Sequence, residues 1–165
     1  MTEIRDIITN LIQPSQRYVV ALSGGVDSSV LLHSVRKSTP NVRSLFINHN
    51  QQDSNSLQKS AENFSEIMNV EHTSLETELE LGASETKMRE VRYQLLFNNL
   101  KSDEILLLGH HHDDKIETFL MNLFRGTRLK GLLSIKQKSQ NILRPFIDIK
   151  KASIIEYANQ NDIRF

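Results

Sequence analysis

The 165-residue chain contains no cysteine. This absence excludes disulfide bonds, zinc sites built on thiolates, iron–sulfur clusters bound by cysteine, and enzymes that use a cysteine nucleophile. Long apolar runs are also missing, since none approaches the ~20 residues that a membrane-spanning helix needs. The N-terminal segment mixes acidic and polar residues into its apolar positions, unlike a secretory signal. We therefore expect a cytoplasmic protein with no membrane partner.

The formal net charge of zero hides an uneven distribution of charge along the chain. Residues 53–90 carry nine acidic and three basic side chains, whereas residues 115–151 carry nine basic and two acidic ones. The basic surplus of the second segment favours a polyanionic partner such as RNA. Solvated lysine and arginine side chains without a partner explain the surplus equally well, so charge alone does not identify a partner.

The pattern of apolar residues predicts one α/β domain over residues 1–165, a length that can bury its own core. Short runs rich in β-branched residues alternate with longer segments of helical period. The predicted strands are Arg17–Leu22, Val42–Asn48, Val70–Leu75 and Glu104–Gly109. The predicted helices run from Thr2 to before Pro14 and over Ser28–Lys37, Ser54–Met68, Ser84–Leu100 and Asp113–Phe124. This alternation indicates a parallel sheet covered by helices on both faces.

The last predicted helix has an apolar face made of Ile116, Phe119, Leu120, Leu123 and Phe124. Their spacing is that of one face of an α-helix. Each side chain would contribute about 1.5–3 kcal/mol if fully buried. We therefore expect this face to hold the helix against the rest of the domain.

The first predicted strand is followed by SGGVDSS, residues 23–29, at the edge where such sheets bind ligands. Glycines let an anion approach the main chain, and the helix N-terminus adds about half a positive charge. The loop predicts phosphate binding by Ser23, Gly24, Gly25, Val26, Asp27 and Ser28. Because Asp27 would repel a phosphate, we infer a Mg²⁺ ion between the two. A tight turn with Ser23 or Asp27 as the helix cap is the alternative.

A second polar segment, HHHDDKIET, follows the fourth predicted strand at residues 110–118. Asp113 and Asp114 suit the first turn of a helix, but Glu117 one turn later adds like-charge repulsion of roughly 0.2–0.5 kcal/mol per pair. Three carboxylates at this edge predict a cation or a cationic substrate, with a solvated acidic helix start as the alternative. Neighbouring side chains of an extended segment point to opposite sides, so the three histidines cannot all bind one ion.

Both segments match a known family. Ser-Gly-Gly-x-Asp-Ser resembles the signature of the PP-loop ATP pyrophosphatases. The pattern His-His-x-Asp-Asp-x-x-Glu-Thr, followed by Arg-Gly-Thr at residues 125–127, resembles the tRNA(Ile)-lysidine synthase branch, as do the segments GASETKMREVRY, LKGLLSI and LRPF. The matches extend from Val19 to about Tyr157. The resemblance implies a Rossmann-like three-layer PP-loop (adenine nucleotide alpha hydrolase-like) domain.

The resemblance implies a ligase that forms carbon–nitrogen bonds. In this family the wobble cytidine of tRNA(Ile) with a CAU anticodon attacks ATP through its O2 atom, and the amine of free L-lysine then displaces AMP. The implied catalytic residues are Asp27, Asp113, Asp114 and Glu117, with either Asp113 or Asp114 as the base. The implied nucleotide contacts include His49 and His110. His111 is the alternative to His110 for this contact. The implied phosphate or RNA contacts are Arg89, Arg92, Arg125 and Arg128. A homodimer is an open alternative to a monomer.

The chain departs from the family pattern in three places. The loop NHNQQDSNS keeps His49 but lacks the Gly-Leu-Arg that often follows, and Arg128 stands where a glycine is usual. The family also continues beyond the terminal NDIRF, often into a C-terminal tRNA-binding domain, so we expect either a fragment or a reduced version. The rival interpretations are a tRNA thiolase, which the absence of cysteine disfavours, an ammonia-using amide synthetase, and a nucleotide-binding module without catalysis.

Overall fold

A computed structural model describes residues 2–77, 84–124 and 135–164. These ranges contain α1 (Thr2–Leu11), β1 (Arg17–Ala21), α2 (Val26–Ser38), β2 (Val42–Asn48), α3 (Ser54–Ile67), β3 (His72–Glu76), α4 (Glu85–Asn98), β4 (Glu104–Leu107), α5 (His112–Phe124), β5 (Lys138–Ser139), β6 (Ile142–Leu143) and α6 (Lys151–Gln160). The predicted alternation of strands and helices is confirmed. None of the helices in these ranges is long and apolar enough to cross a bilayer.

The strands form one sheet in the order β3-β2-β1-β4-β6-β5. β1 pairs in parallel with β2 and β4, while β2 pairs with β3 and β4 with β6 in the same sense. β5 runs antiparallel to β6. The chain moves outward from β1 to β3 and then returns to the other side of β1, so the strand order reverses between β1 and β4. Open α/β sheets bind ligands outside the carboxyl ends of the strands at such a point.

Helices cover both faces of the sheet, as predicted. Successive residues of a strand point to opposite faces. Val20 and Leu107 therefore belong to a cluster with side chains of α1, α2, α3 and α6. Val19 and Leu106 belong to a second cluster, which contains Leu96 of α4. The carboxyl ends of β1 and β4 lie between these two layers.

The expected burial of the apolar face of α5 is wrong. The side chains of Ile116, Phe119, Leu120, Leu123 and Phe124 are 41–86% exposed, and no side chain of this fully described helix is buried. The helix is instead held at its start. The His112 amide donates to the Ile149 carbonyl at 2.9 Å, and Lys115 pairs with Asp148 at 2.8 Å. Periodicity shows which residues share a helix face, but not whether another element covers that face.

β5, β6 and α6 were not predicted from the sequence. The two strands have two residues each, too few for a periodic pattern to be visible. α6 buries Ile154, Tyr157 and Ala158 against the core. The other boundaries agree with the prediction to within two residues, as when α2 begins at Val26 rather than Ser28, which is the ordinary uncertainty of helix and strand ends.

The turn from β1 into α2 requires a glycine at one position. Gly24 has a φ of +78°, a left-handed backbone conformation that residues other than glycine rarely adopt. A Cβ atom there would also lie 2.6 Å from the Leu57 carbonyl oxygen on α3. Gly25, the N-cap of α2, has an extended backbone with φ −99°, and the nearest atom to its Cβ position is Ser23 Oγ at 3.7 Å. The two adjacent glycines are thus constrained very differently.

A histidine buried far from this turn ties α2 to α6. His33 Nδ1 lies 3.1 Å from the hydroxyl of Tyr157. Burial lowers the pKa of His33 to about 4, and the positive charges of Lys37 and Arg5 add to the effect. The folded protein therefore holds this imidazole neutral at pH values where an unfolded chain would protonate it.

We expect Gly24→Ala to destabilise the protein by about 2–4 kcal/mol, because left-handed backbone and a steric contact act together. Gly25→Ala is the matched control. It adds the same methyl group one residue later and should cost at most ~1 kcal/mol. Urea unfolding of the two variants and the wild type measures the difference. Equal losses for the two variants would show that Gly24 is not the constrained position.

We expect the free energy of unfolding to fall as the pH drops from about 6.5 towards about 4. In this window the unfolded chain binds a proton at His33 that the folded chain does not, which costs at most ~1.4 kcal/mol per pH unit for one group. His33→Gln keeps a polar partner for Tyr157 but does not titrate. Its stability, measured by urea unfolding across this pH range, should fall less steeply than that of the wild type. Identical slopes would contradict the role of His33.

Candidate active site at the ends of β1 and β4

Hydrogen bonds of Ser28 hold the SGGVDSS loop in shape. Its hydroxyl accepts from the Ser23 amide and donates to the Gly25 carbonyl, both at 3.0 Å. The side chain of Val26 is buried in the core. Ser28 and Val26 therefore brace the loop from within. The first backbone amides of α2 have no acceptor inside the helix. These amides are therefore available to bind a ligand.

The chain after β4 passes close to the start of α2. A Cβ atom on Gly109 would lie 3.2 Å from the carbonyl carbon of Asp27 and from the amide nitrogen of Ser28. A larger residue would therefore push the two loops apart. In the sequence Gly109 was seen only as the end of a strand, although a glycine at that place is a known sign of close backbone approach.

A cleft of about 350 Å³ opens where these two loops meet. Three elements line it with polar side chains. The loop after β1 contributes Ser23, Asp27 and Ser28, α4 contributes Arg89, Arg92 and Tyr93, and the segment after β4 contributes His110, Asp114, Glu117 and Thr118. The cleft thus has two arginines on one wall and two carboxylates on another. The structure brings together most of the residues that the sequence singled out.

The three carboxylates of the second segment do not act as one group. Asp114 and Glu117 line the cleft, but Asp113 is not among its lining residues. The carboxylate of Asp113 lies 3.7 Å from His112 Nδ1, and its side chain is 56% exposed. Asp114 also accepts a hydrogen bond from the His111 amide at 2.7 Å, which caps α5. Asp113 thus follows β4 together with the other two but does not line the cleft, and its catalytic role stays a prediction.

His110 and His111 occupy different environments. His110 lines the cleft, and its Nδ1 accepts a hydrogen bond from Nε of Arg144 at 3.1 Å. Burial, helped by the charge of Arg144, lowers the pKa of His110 to about 4. At neutral pH its proton is therefore on Nε2, as a donor. His111 is buried, with Nε2 3.8 Å from Asp27 and Nδ1 3.5 Å from Asp114.

Asp27 has a partner that was not predicted from the sequence. Lys151, the first residue of α6, places its Nζ atom 2.5 and 2.6 Å from the two carboxylate oxygens of Asp27. The pair is separated by 124 residues along the chain, and Lys151 belongs to no motif. Its proximity to Asp27 follows from the packing of α6 in the fold and could not be predicted from the sequence.

The residues around Asp27 fit a Mg²⁺ ion that is held largely by its substrate. Asp27 offers a carboxylate, and the ammonium group of Lys151 already stands at that carboxylate as a cation. Within residues 2–77, 84–124 and 135–164 no group of three or more histidine or carboxylate side chains could hold a metal. Mg²⁺ commonly takes one or two carboxylates and completes its shell with phosphate oxygens and water. A single carboxylate therefore suffices here.

The arginines and the histidine that were predicted to contact phosphate, RNA or nucleotide lie in different places. Arg89 and Arg92 line the cleft, and the Arg89 guanidinium lies 5.9 Å from the centre of the Tyr93 ring. His49 follows β2 and is not among the lining residues. Burial, and next the charge of Arg92, lower the pKa of His49. Arg125 and Arg128 lie outside the described residues.

Comparison with known proteins places the chain in a family. A model of the PP-loop domain matches residues 1–165. The tRNA(Ile)-lysidine synthase of Buchnera aphidicola is 34% identical over 98% of this chain and 39% of its own length. That of Acinetobacter baylyi is 34% identical over 83% of this chain and 31% of its own length. The chain thus spans well under half of these two relatives.

Solved structures share the fold at low sequence identity. A U34-tRNA thiolase from Methanococcus maripaludis, solved with its [4Fe-4S] cluster, has a TM-score of 0.76 and 18% identity, covering 99% of this chain and 65% of that one. An NH3-dependent NAD synthetase from Campylobacter jejuni has a TM-score of 0.64 and 17% identity, covering 98% and 71%. The chain belongs to the PP-loop domain family and is similar, along most of its length, to tRNA(Ile)-lysidine synthases.

Proposed function

We propose that this chain is the ATP-using catalytic domain of a tRNA(Ile)-lysidine synthase. It joins free L-lysine to C2 of the wobble cytidine of tRNA(Ile) with a CAU anticodon, and AMP and pyrophosphate are released. One observation carries the proposal: a single cleft combines the glycine-rich loop at the start of α2 with Asp114 and Glu117 on the segment after β4. An anionic nucleotide and a cationic amine can therefore bind side by side.

The α2 side of the cleft suits the triphosphate of ATP. Free amides and the helix dipole favour an anion at the start of α2. Arg89 and Arg92 add two guanidinium groups, which bind phosphate oxygens well. The Nε2 proton of His110 provides a neutral donor on the same cleft. Mg²⁺, held by Asp27, would neutralise part of the phosphate charge when bound.

The first step activates the cytidine. Its O2 atom attacks the α-phosphorus of ATP, the bond from that phosphorus to the bridging oxygen breaks, and pyrophosphate leaves. Negative charge grows on the departing pyrophosphate. The amides at the start of α2, with Arg89 and Arg92, lie on the cleft where they can stabilise that charge. The product is an adenylated base whose C2 atom is open to attack.

The second step transfers lysine to the activated base. The side-chain amine of lysine attacks C2, the bond from C2 to the adenylate oxygen breaks, and AMP leaves. Lysine arrives as an ammonium ion and must lose a proton before it can attack. Asp114 and Glu117 attract the ammonium, and we assign the base role to Asp114 rather than Asp113 because only Asp114 lines the cleft.

The basic surplus of residues 115–151 suits a tRNA. A thiolase is disfavoured, because sulfur handling in that group relies on cysteines and this chain has none. Since the relatives are much longer, we infer that the whole protein has a further tRNA-binding region. We expect it to act in the cytoplasm, where tRNA, ATP and free lysine meet, and a homodimer stays a prediction.

We expect the full-length protein, incubated with ATP, Mg²⁺, lysine and a CAU-anticodon tRNA(Ile) transcript, to add one lysine to the wobble cytidine. Mass spectrometry of the digested tRNA measures this directly. The same tRNA with a GAU anticodon lacks the target base and serves as the control. An unchanged wobble cytidine would contradict the proposal, and ATP binding without pyrophosphate release would identify a nucleotide-binding module instead.

We expect Asp114→Asn to slow lysine transfer by about 10²–10⁴-fold, the usual effect of losing a general base. Asparagine keeps the α5 cap, so the fold should persist. Pyrophosphate release, which precedes the proton transfer, should suffer less. Asp113→Asn is the matched control and should change the rate only a few-fold. Comparable losses for the two variants, measured in single-turnover assays, would overturn the assignment of the base.

A further inference from the structure

The position of Lys151 is not explained by the stability of its own helix. It is the first residue of α6 and follows a second lysine, Lys150, at the N-cap, with no acidic residue in the first turn. A helix N-terminus carries partial positive charge, so cations there are unfavourable. Lys151 nevertheless has a side chain only 32% exposed, and it contacts both oxygens of Asp27. The interaction with Asp27 is therefore what keeps the ammonium group in place.

A helix N-terminus and an ammonium group lie beside Asp27 even without a metal. The carboxylate lies in the first turn of α2, and Lys151 brings the N-terminus of α6 beside it. His111 Nε2 is 3.8 Å away. A metal ion on either carboxylate oxygen would stand next to the ammonium group, and two adjacent cations repel each other strongly at short range. The ammonium and a metal ion therefore cannot share this carboxylate without cost.

We propose that Lys151 is the resident counter-ion of Asp27 and competes with the divalent cation for it. This inference rests on the proposed Mg²⁺ site at Asp27. Without nucleotide, the ammonium cancels the charge of Asp27, so the carboxylate does not repel incoming phosphates. When metal and nucleotide bind, the ammonium leaves the carboxylate and pairs with the polyphosphate. Lys151 thus positions Asp27 before binding and contacts phosphate after it.

This exchange predicts two changes of opposite sign for Lys151→Met. Mn²⁺ alone should bind the nucleotide-free variant about three- to tenfold more tightly, because a competing cation is gone. ATP in the presence of EDTA should bind more weakly by a similar factor, because Asp27 is now an unbalanced negative charge. A purely structural role for Lys151 would weaken both interactions. Electron paramagnetic resonance of Mn²⁺ and calorimetry of ATP supply the two measurements.

Further variants of the whole protein sharpen the test. Lys150→Met removes the neighbouring, exposed lysine and should leave both affinities unchanged. Lys151→Arg keeps the positive charge and should behave like the wild type. In an Asp27→Asn background, Lys151→Met should no longer tighten Mn²⁺ binding. If Lys151→Met does not fold, Lys151→Gln replaces it in the same comparison.

Unchanged or weaker Mn²⁺ binding by the neutral variant would overturn the proposal. The same holds if Lys150→Met reproduces the effect, because the change would then reflect charge at the α6 terminus in general. Neither measurement uses tRNA or lysine. Failure of the lysidine reaction would therefore leave these results interpretable, and failure of the competition would leave the proposed reaction open.

Discussion

The site depends on the close packing of the chain after β4 against the first turn of α2. The Cβ position of Gly109 is only 3.2 Å from the backbone of Asp27 and Ser28, so a side chain at that position would separate the two loops. The reversal of strand order between β1 and β4 brings these loops to the same edge of the sheet. The packing of the two backbones then brings the glycine-rich start of α2 and the acidic start of α5 to one cleft. All the chemistry proposed above requires that contact.

The segment from β6 to α6 carries no obvious catalytic motif and contributes no residue to the lining of the cleft, but it contacts two residues that do line it. Arg144, just after β6, donates to His110, and burial together with the charge of Arg144 lowers the pKa of His110 and keeps its imidazole neutral. Lys151, at the start of α6, binds Asp27. The Leu108 amide also donates to the Leu143 carbonyl at 3.1 Å, which fixes this segment beside β4. One short stretch of chain therefore supplies a cation to each of the two loops.

The sequence predicted the parts of the site whose chemistry is local. Adjacent glycines before a helix, and acids in the first turn of another, have meanings that depend on near neighbours. The sequence did not predict the features of the site that depend on contacts between distant parts of the chain. Asp113 and Asp114 are adjacent, yet successive helix residues point about 100° apart, and only the packing of α5 shows which faces the cleft. The exposure of the α5 apolar face, and the pairing of Asp27 with a lysine 124 residues away, likewise follow from tertiary structure.

The distribution of cations at the cleft suits the two substrates of opposite charge in the proposed reaction. Asp27 is paired with Lys151, whereas no lysine or arginine in the described ranges forms a salt bridge with Asp114 or Glu117. In the proposed reaction, lysine would therefore be drawn to Asp114 and Glu117, and not to the loop that we propose to bind phosphate. The arginines on α4 and the start of α2 attract the nucleotide in turn. If Asp27 were unpaired, it would compete for the same ammonium group and hold it at the wrong end of the cleft.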